Sequence, residues 1–210
     1  MLRRKSRAVK VRNLIIGGEA PVSVQTMSTI SPADSEAALA DAQRLALCGA
    51  ELIRFAVPDM KAAKGLAAVV KGSPVPLVAD IHFDHMLALQ AVASGVDALR
   101  INPGNIGSDE KVARVVEAAA DKGIPIRVGV NSGSLEKKLL EKHGGVTAAA
   151  LAESAVNTLD KIEQMGFDDL VLSIKSSNVK INYDAHMLVK DMTDHPLHIG
   201  ITESGTPANG

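Results

Sequence analysis

The 210-residue chain predicts an α/β fold, a TIM-type (β/α)8 barrel that is incomplete, with seven strands present and the eighth missing. Three observations carry this. Seven short β segments alternate with helical segments at intervals that suit βα repeats. Nearly every segment has an apolar face and a small or polar face, whereas an open doubly wound sheet would bury both faces of its central strands under helices. The polar faces also carry charge, which suits a barrel interior widening toward a ligand.

Taken in order, residues 9–16 (VKVRNLII) with Gly17-Gly18 read as a hairpin arm covering the closed end of a larger body. This divides the chain into an arm over 1–20 and a barrel over 21–210. The first barrel strand is Val22 to Met27, with Val24 outward and Ser23 and Gln25 on the opposite face. Ser31-Pro32-Ala33-Asp34 supplies a cap and an early proline for a helix from Ser35 to Leu47, whose Ala38, Ala42, Leu45 and Ala46 recur at helical spacing. The second strand, Glu51 to Val57, sets Leu52 and Phe55 around Arg54, and Pro58-Asp59 turns into a helix from Met60 to Lys71.

The third strand carries Leu77, Ala79 and Ile81 on one face and Val78, Asp80 and His82 on the other. A helix from Met86 to Ala93 follows, closed by Gly95. The fourth strand sets Leu99 and Ile101 against Ala98, Arg100 and Asn102, then ends in a turn at Pro103-Gly104-Asn105. An amphipathic helix from Ser108 to Lys122 leads to the fifth strand, Pro125 to Asn131, with Arg127, Gly129 and Asn131 on its inner face. After a short helix over 134–143 and a long one capped by Thr147, the sixth strand runs from Asp169 to Lys175. A helix from Asn182 to Met192 precedes the seventh strand, Pro196 to Ile201, where Leu197, Ile199 and Ile201 form the apolar row. The chain then ends shortly after Glu203, so the barrel reads as truncated after strand seven.

Composition excludes several classes. With 46% hydrophobic and 22% charged residues, the chain has the make-up of an ordinary globular protein. The net charge of −1 and an aromatic content of 2% give neither a field nor stacking platforms for nucleic acid. No apolar run reaches the ~18 residues that a membrane span needs. The basic start, Arg3-Arg4-Lys5-Ser6-Arg7, lacks the apolar region of a secretory signal, so the expected location is cytoplasmic. Cys48 is the single cysteine, and its apolar surroundings read as those of a small buried hydrophobe.

In a barrel the strand C-terminal ends share one mouth, where the active site sits. The inward row brings Gln25, Arg54, Asp80 with His82, Arg100 with Asn102, Arg127 with Asn131, and Lys175 toward it, and Glu203 follows strand seven. Four cations on matching strand faces, in a chain of net charge −1, point to a bound anion. Guanidinium forks take phosphate oxygens in pairs, with lysine as a point charge, and four cations suit a diphosphate better than one carboxylate. The blander reading pairs each arginine with an acid as a structural ion pair, but clear acidic partners are too few for all four. His82 beside Asp80 is a candidate proton donor or ligand contact.

The motifs VQTM (24–27), IRFAVPDM (53–60), PLVADIHFD (76–84), LRINPGNIG (99–107), IPIRVGVNSGSLEK (124–137) and LHIGITESG (197–205) closely resemble the 4-hydroxy-3-methylbut-2-enyl diphosphate synthase family. The resemblance runs from about Arg3 to the last residue. It implies an oxidoreductase of non-mevalonate isoprenoid (terpenoid) biosynthesis, which reductively opens 2-C-methyl-D-erythritol 2,4-cyclodiphosphate. It implies Arg54, Arg100, Arg127, Asn131 and Lys175 as substrate contacts, Asp80 and His82 as substrate contacts that are also catalytic, and Glu203 as a catalytic proton donor. It also implies a 4Fe–4S cluster in a C-terminal domain, flavodoxin or ferredoxin as electron donor, and a homodimer of the full-length enzyme. The cluster ligands are absent from this chain, so the expectation is a diphosphate-binding barrel that is inactive alone. Two rival readings stand beside it: a redox-independent phosphate- or pterin-binding barrel similar to dihydropteroate synthase, and a non-catalytic binding fragment.

Overall fold

The computed structural model describes residues 4–201 together with 205 and 206. Strands β1 (Ala8–Val11) and β2 (Leu14–Gly17) form an antiparallel hairpin. They are followed by β3 (Gln25–Met27), α1 (Ser35–Leu47), β4 (Leu52–Ala56), α2 (Met60–Gly72), β5 (Leu77–Ile81), α3 (His85–Ala93), β6 (Ala98–Ile101) and α4 (Pro103–Ile106). The remainder is α5 (Asp109–Lys122), β7 (Ile126–Asn131), α6 (Lys137–His143), α7 (Ala148–Glu163), β8 (Leu170–Lys175), α8 (Val179–Val189) and β9 (Leu197–Ile199). The seven strands β3 to β9 pair in parallel and in chain order, each joined to the next through the outer helical layer. Strands β3 and β9 are the two edges of this sheet.

Local chemistry explains where the helices begin. Asp34, Asp59, Asp84, Thr147 and Asn178 each accept a hydrogen bond from a backbone N–H of the first turn that follows, which satisfies a donor that has no intrahelical partner. The Asn178 cap starts α8 at Val179, three residues before the expected Asn182, and the helix ends correspondingly earlier, at Val189. At Pro103 the expected turn is a single turn of helix, because the Asn102 carboxamide oxygen accepts from the Gly104 N–H at 3.1 Å. Strand β3 is shorter than expected: as an edge it has one neighbour, and Val22 and Val24 stand exposed ahead of it.

Two apolar clusters hold the body together. The larger lies between the sheet and the helices and takes the outward row of the strands, including Ile53, Phe55, Leu77, Ala79, Ile81, Leu99, Ile101, Ile126 and Val128. The smaller lies inside the sheet: Val11 of the hairpin packs with Leu52, Val78 and Ala98, and Leu14 and Ile16 join from β2. The hairpin thus closes the N-terminal end of the strands. It is tied down by Arg7, whose backbone N–H donates to the Asp194 carbonyl at 2.8 Å and whose guanidinium pairs with the Asp194 carboxylate at 2.7 Å.

The inner row changes character along the strands. Leu52, Val78 and Ala98 are apolar, and the next residues of the same parity are Arg54, Asp80 and Arg100, roughly 6–7 Å further toward the C-terminal end. The register sets Arg54 against Val78, Asp80 against Arg100, and Arg100 against Arg127. An apolar floor and a charged upper layer therefore follow from one pattern repeated in adjacent strands.

Candidate functional site

The C-terminal ends of β4 to β8 bring Arg54, Asp80, His82, Arg100, Asn131 and Lys175 to the lining of one cavity of about 500 Å³. Asp80 is its hub, 3% exposed. Its Oδ1 accepts from Arg100 Nη1 at 3.1 Å, while Oδ2 lies 3.5 Å from Arg54 Nε and 3.4 Å from His82 Nε2. Arg54 is also held from the side by the Met27 thioether, with Nη2 to Sδ at 2.8 Å. His82 is half-exposed at the rim of the cavity. Asn102, expected beside Arg100, is occupied in capping α4, and its amide N–H donates to Ser134 Oγ at 3.3 Å.

Arg127 lies outside the lining of this mouth and belongs to a second chamber of about 600 Å³ beneath it. That chamber shares Arg54 and Lys175 with the mouth, has Val11, Leu52, Val78 and Ala98 as its floor, and reaches residues of both sheet edges. Arg127 is 6% exposed; its Nη1 donates to Gln25 Oε1 and lies 3.2 Å from His198 Nδ1. Its Nε and Nη2 are buried with no hydrogen-bond partner among the described residues.

Arg54, Arg100, Arg127 and Lys175 thus gather around a single carboxylate, Asp80, a formal surplus of three positive charges among the described residues. The proton equilibria show the strain of this arrangement. Burial, followed by repulsion from Arg54, Arg127 and Arg100, lowers the Lys175 ammonium to about 8. Burial and then Arg54 lower Arg127, and burial lowers Arg54, with Asp80 opposing both shifts. Burial followed by Arg127, Lys175 and Arg54 drives His198 down to about 3, so its imidazole is neutral. Negative charge in the mouth would offset the repulsion among these cations, though not the cost of their burial.

Glu203 lies outside the described residues. Cys48 corrects an expectation: it is exposed, not buried. It caps the C-terminus of α1, whose buried stripe is Ala38 and Ala42, and its neighbour Leu47 is 90% exposed. A lone exposed cysteine on the outer layer does not fit an iron–sulfur cluster, which needs about four ligands, mostly thiolates. Among the described residues no group of three or more His, Cys, Asp or Glu is arranged to hold a metal ion, and no helix is long and apolar enough to cross a membrane.

Two site residues escape a motif-based reading. His198 was legible by parity, since Leu197 and Ile199 face outward on the same strand, but a single histidine gives no sign of its partner. Gly129 was legible as an inward position, yet its use depends on the side chain that fills its space: a Cβ there would stand 2.5 Å from Arg100 Nη2.

Solved structures show where this architecture recurs. The chain overlays a dihydropteroate synthase of Xanthomonas albilineans with a TM-score of 0.62 at 18% identity, covering 90% of this chain and 76% of that one. It overlays a 3-dehydroquinate dehydratase of Geobacillus kaustophilus with a TM-score of 0.67 at 14% identity, covering 93% and 79%. At such identities the likeness is one of fold, so it lends no support to a pterin-binding function. Sequence relatives are far nearer. A protein of Fusobacterium nucleatum named 4-hydroxy-3-methylbut-2-en-1-yl diphosphate synthase (flavodoxin) is 48% identical over 209 residues, 100% of this chain and 59% of its own length. A protein of the same name from Bacillus subtilis is 50% identical over 204 residues, 97% of this chain and 54% of its own. The chain thus spans little more than half the length of these relatives. Residues 6–210 match the family described as the GcpE TIM-barrel domain, and the chain belongs to that family.

Proposed function

We propose that this chain is the substrate-binding barrel of a 4-hydroxy-3-methylbut-2-en-1-yl diphosphate synthase, with Arg54, Arg100, Arg127, Asn131 and Lys175 holding the diphosphate of a cyclic diphosphate substrate. One observation carries the reading: three cations line one mouth and a fourth lines the adjoining chamber, while among the described residues one buried carboxylate, paired with Arg54 and Arg100, lies among them. The names of relatives about half identical to the chain supply a diphosphate product and flavodoxin, here taken as the electron donor; the cyclic diphosphate substrate is what the family resemblance implies.

The roles of the chain's own residues follow from their chemistry. Asp80 fixes Arg54 and Arg100 through separate oxygens, so both guanidinium groups are oriented before ligand arrives and lose less freedom on binding. Lys175 adds a charge that strengthens as the anion raises its proton affinity. His82, 3.4 Å from Asp80 and half-exposed at the rim, suits a contact to a substrate oxygen. Glu203 is the proton donor in this reading, and full-length dimerisation belongs to it as well. An iron–sulfur cluster held by residues other than those described would supply the electrons for the reductive step.

Calorimetric titration of this chain with 2-C-methyl-D-erythritol 2,4-cyclodiphosphate tests the reading. Saturable 1:1 binding is expected, weakened by about tenfold or more in Arg100→Met or Lys175→Met, the scale of a charge-assisted hydrogen bond. Absence of binding, or binding untouched by both substitutions, would sink it. Binding of a pterin in preference to the cyclic diphosphate would favour the rival.

A further inference from the structure

His198 lies on β9, on the inner face between the outward-facing Leu197 and Ile199. Its Nδ1 is 3.2 Å from Nη1 of Arg127. A guanidinium has only donors, so this contact forms when Nδ1 accepts, and the imidazole proton must then sit on Nε2. The same Arg127 Nη1 donates to Gln25 Oε1 from β3. Residues of the two opposite sheet edges therefore grip one nitrogen of a central arginine. The other edge of that guanidinium, Nε with Nη2, has no partner among the described residues. That edge is the one that offers two parallel N–H groups to an oxyanion.

We propose that Gln25 and His198 are positioning residues: together they pin Nη1 of Arg127 and so reserve its Nε/Nη2 edge for an oxyanion of the ligand. This deepens the function proposed above and rests on it. The arrangement requires a neutral imidazole, since a protonated ring would offer Arg127 a second donor and a like charge. Burial first, and then the charges of Arg127, Lys175, Arg54 and His186, favour that state. Lys175 and Arg54 also border both the chamber and the mouth, which couples the pinned arginine to the ligand cavity.

The test combines binding with a direct reading of the ring, on the full 210-residue chain and with inorganic diphosphate as the probe. His198→Phe should weaken diphosphate binding about tenfold, while His198→Asn, whose carboxamide oxygen replaces the Nδ1 acceptor, should recover most of it. Gln25→Leu should weaken binding similarly. In an Arg127→Met background neither substitution should weaken it further, which a merely structural role would not predict. Nitrogen-15 NMR should show His198 as the Nε2–H tautomer, unprotonated through mildly acid pH, and this lock should be lost in Arg127→Met. Wild-type affinity in His198→Phe, an equal loss in the Arg127→Met background, or an Nδ1–H tautomer would overturn the proposal. If the wild-type chain ignores diphosphate, the functional reading falls; an Nε2–H lock released by Arg127→Met would still establish the grip on Arg127, and its absence would remove that too.

Discussion

The Arg100 guanidinium occupies the space where a side chain of Gly129 would be: a Cβ on Gly129 would stand 2.5 Å from Nη2 and 2.6 Å from Nε of Arg100. Gly129 sits in the middle of β7, where glycine is normally a cost, because it loses backbone entropy and packs nothing. Here the missing methyl is what lets a buried cation lie flat against the sheet and reach Asp80.

Gly129→Ala should accordingly move Arg100 rather than the backbone, since the colliding atoms are the far end of a long side chain. The gain from removing a strand glycine, about 1 kcal/mol, offsets only part of the loss of the buried Arg100–Asp80 pair, so stability in urea should fall by roughly 2 kcal/mol. Diphosphate affinity, measured by calorimetry, should fall by about tenfold as Arg100 leaves Asp80. A variant that binds as tightly as wild type would show that Arg100 reaches the ligand from elsewhere.

Asp80→Asn removes the one carboxylate that Arg54 and Arg100 share. Breaking a buried pair by deleting one partner leaves uncompensated charge, so a loss of roughly 3 kcal/mol is expected in chemical denaturation. Added diphosphate should restore part of that stability, because it binds only the folded chain and supplies the missing negative charge. Unchanged stability without anion would argue that the cations are solvated rather than balanced by Asp80.

Lys175 gives the site a pH dependence. Its folded value of about 8 lies below its ordinary 10.5, so between them the unfolded chain holds a proton that the folded chain has released. Stability from this group therefore rises with pH across that window, and its destabilising effect is fully present below about 8. Anion binding runs the other way, because it needs the ammonium: affinity for diphosphate should fall as pH rises through about 8. Comparing wild type with Lys175→Met from neutral pH to about 9.5 separates this from the ligand's own titration. Equal slopes for the two proteins would remove Lys175 from the site.

The hairpin should matter to stability more than its size suggests. Val11 is 1% exposed and packs on Leu52, Val78 and Ala98 inside the sheet. Val11→Ala removes two buried methyl groups at the floor of the lower chamber and should cost about 2 kcal/mol. Thermal unfolding checks this; a change within error would mean that the hairpin lies on the body without sealing it.

The amino-acid pattern by itself determined the order of seven parallel strands, the helices between them, and the face of each strand that carries Arg54, Asp80, Arg100, Arg127 and Lys175. This is because period two and period 3.6 are local properties, and side-chain alternation follows directly from backbone geometry. Two of the caps were legible for the same reason, since Asp34 and Thr147 act within three residues of themselves, whereas those at Asp84 and Asn178 were not read. Distances across the barrel were not local. Only the tertiary structure decided that Asp80 serves Arg54 and Arg100 at once, that Arg127 lines the adjoining chamber rather than the mouth, and that His198 and Gln25 meet it from opposite sheet edges. It also decided that Cys48 faces solvent, because an apolar run in a helix does not say which of its residues the neighbouring elements cover. Burial and charge interact through space, so the lowered proton affinities of Lys175 and His198 exist only once strands distant in sequence bring the four cations together.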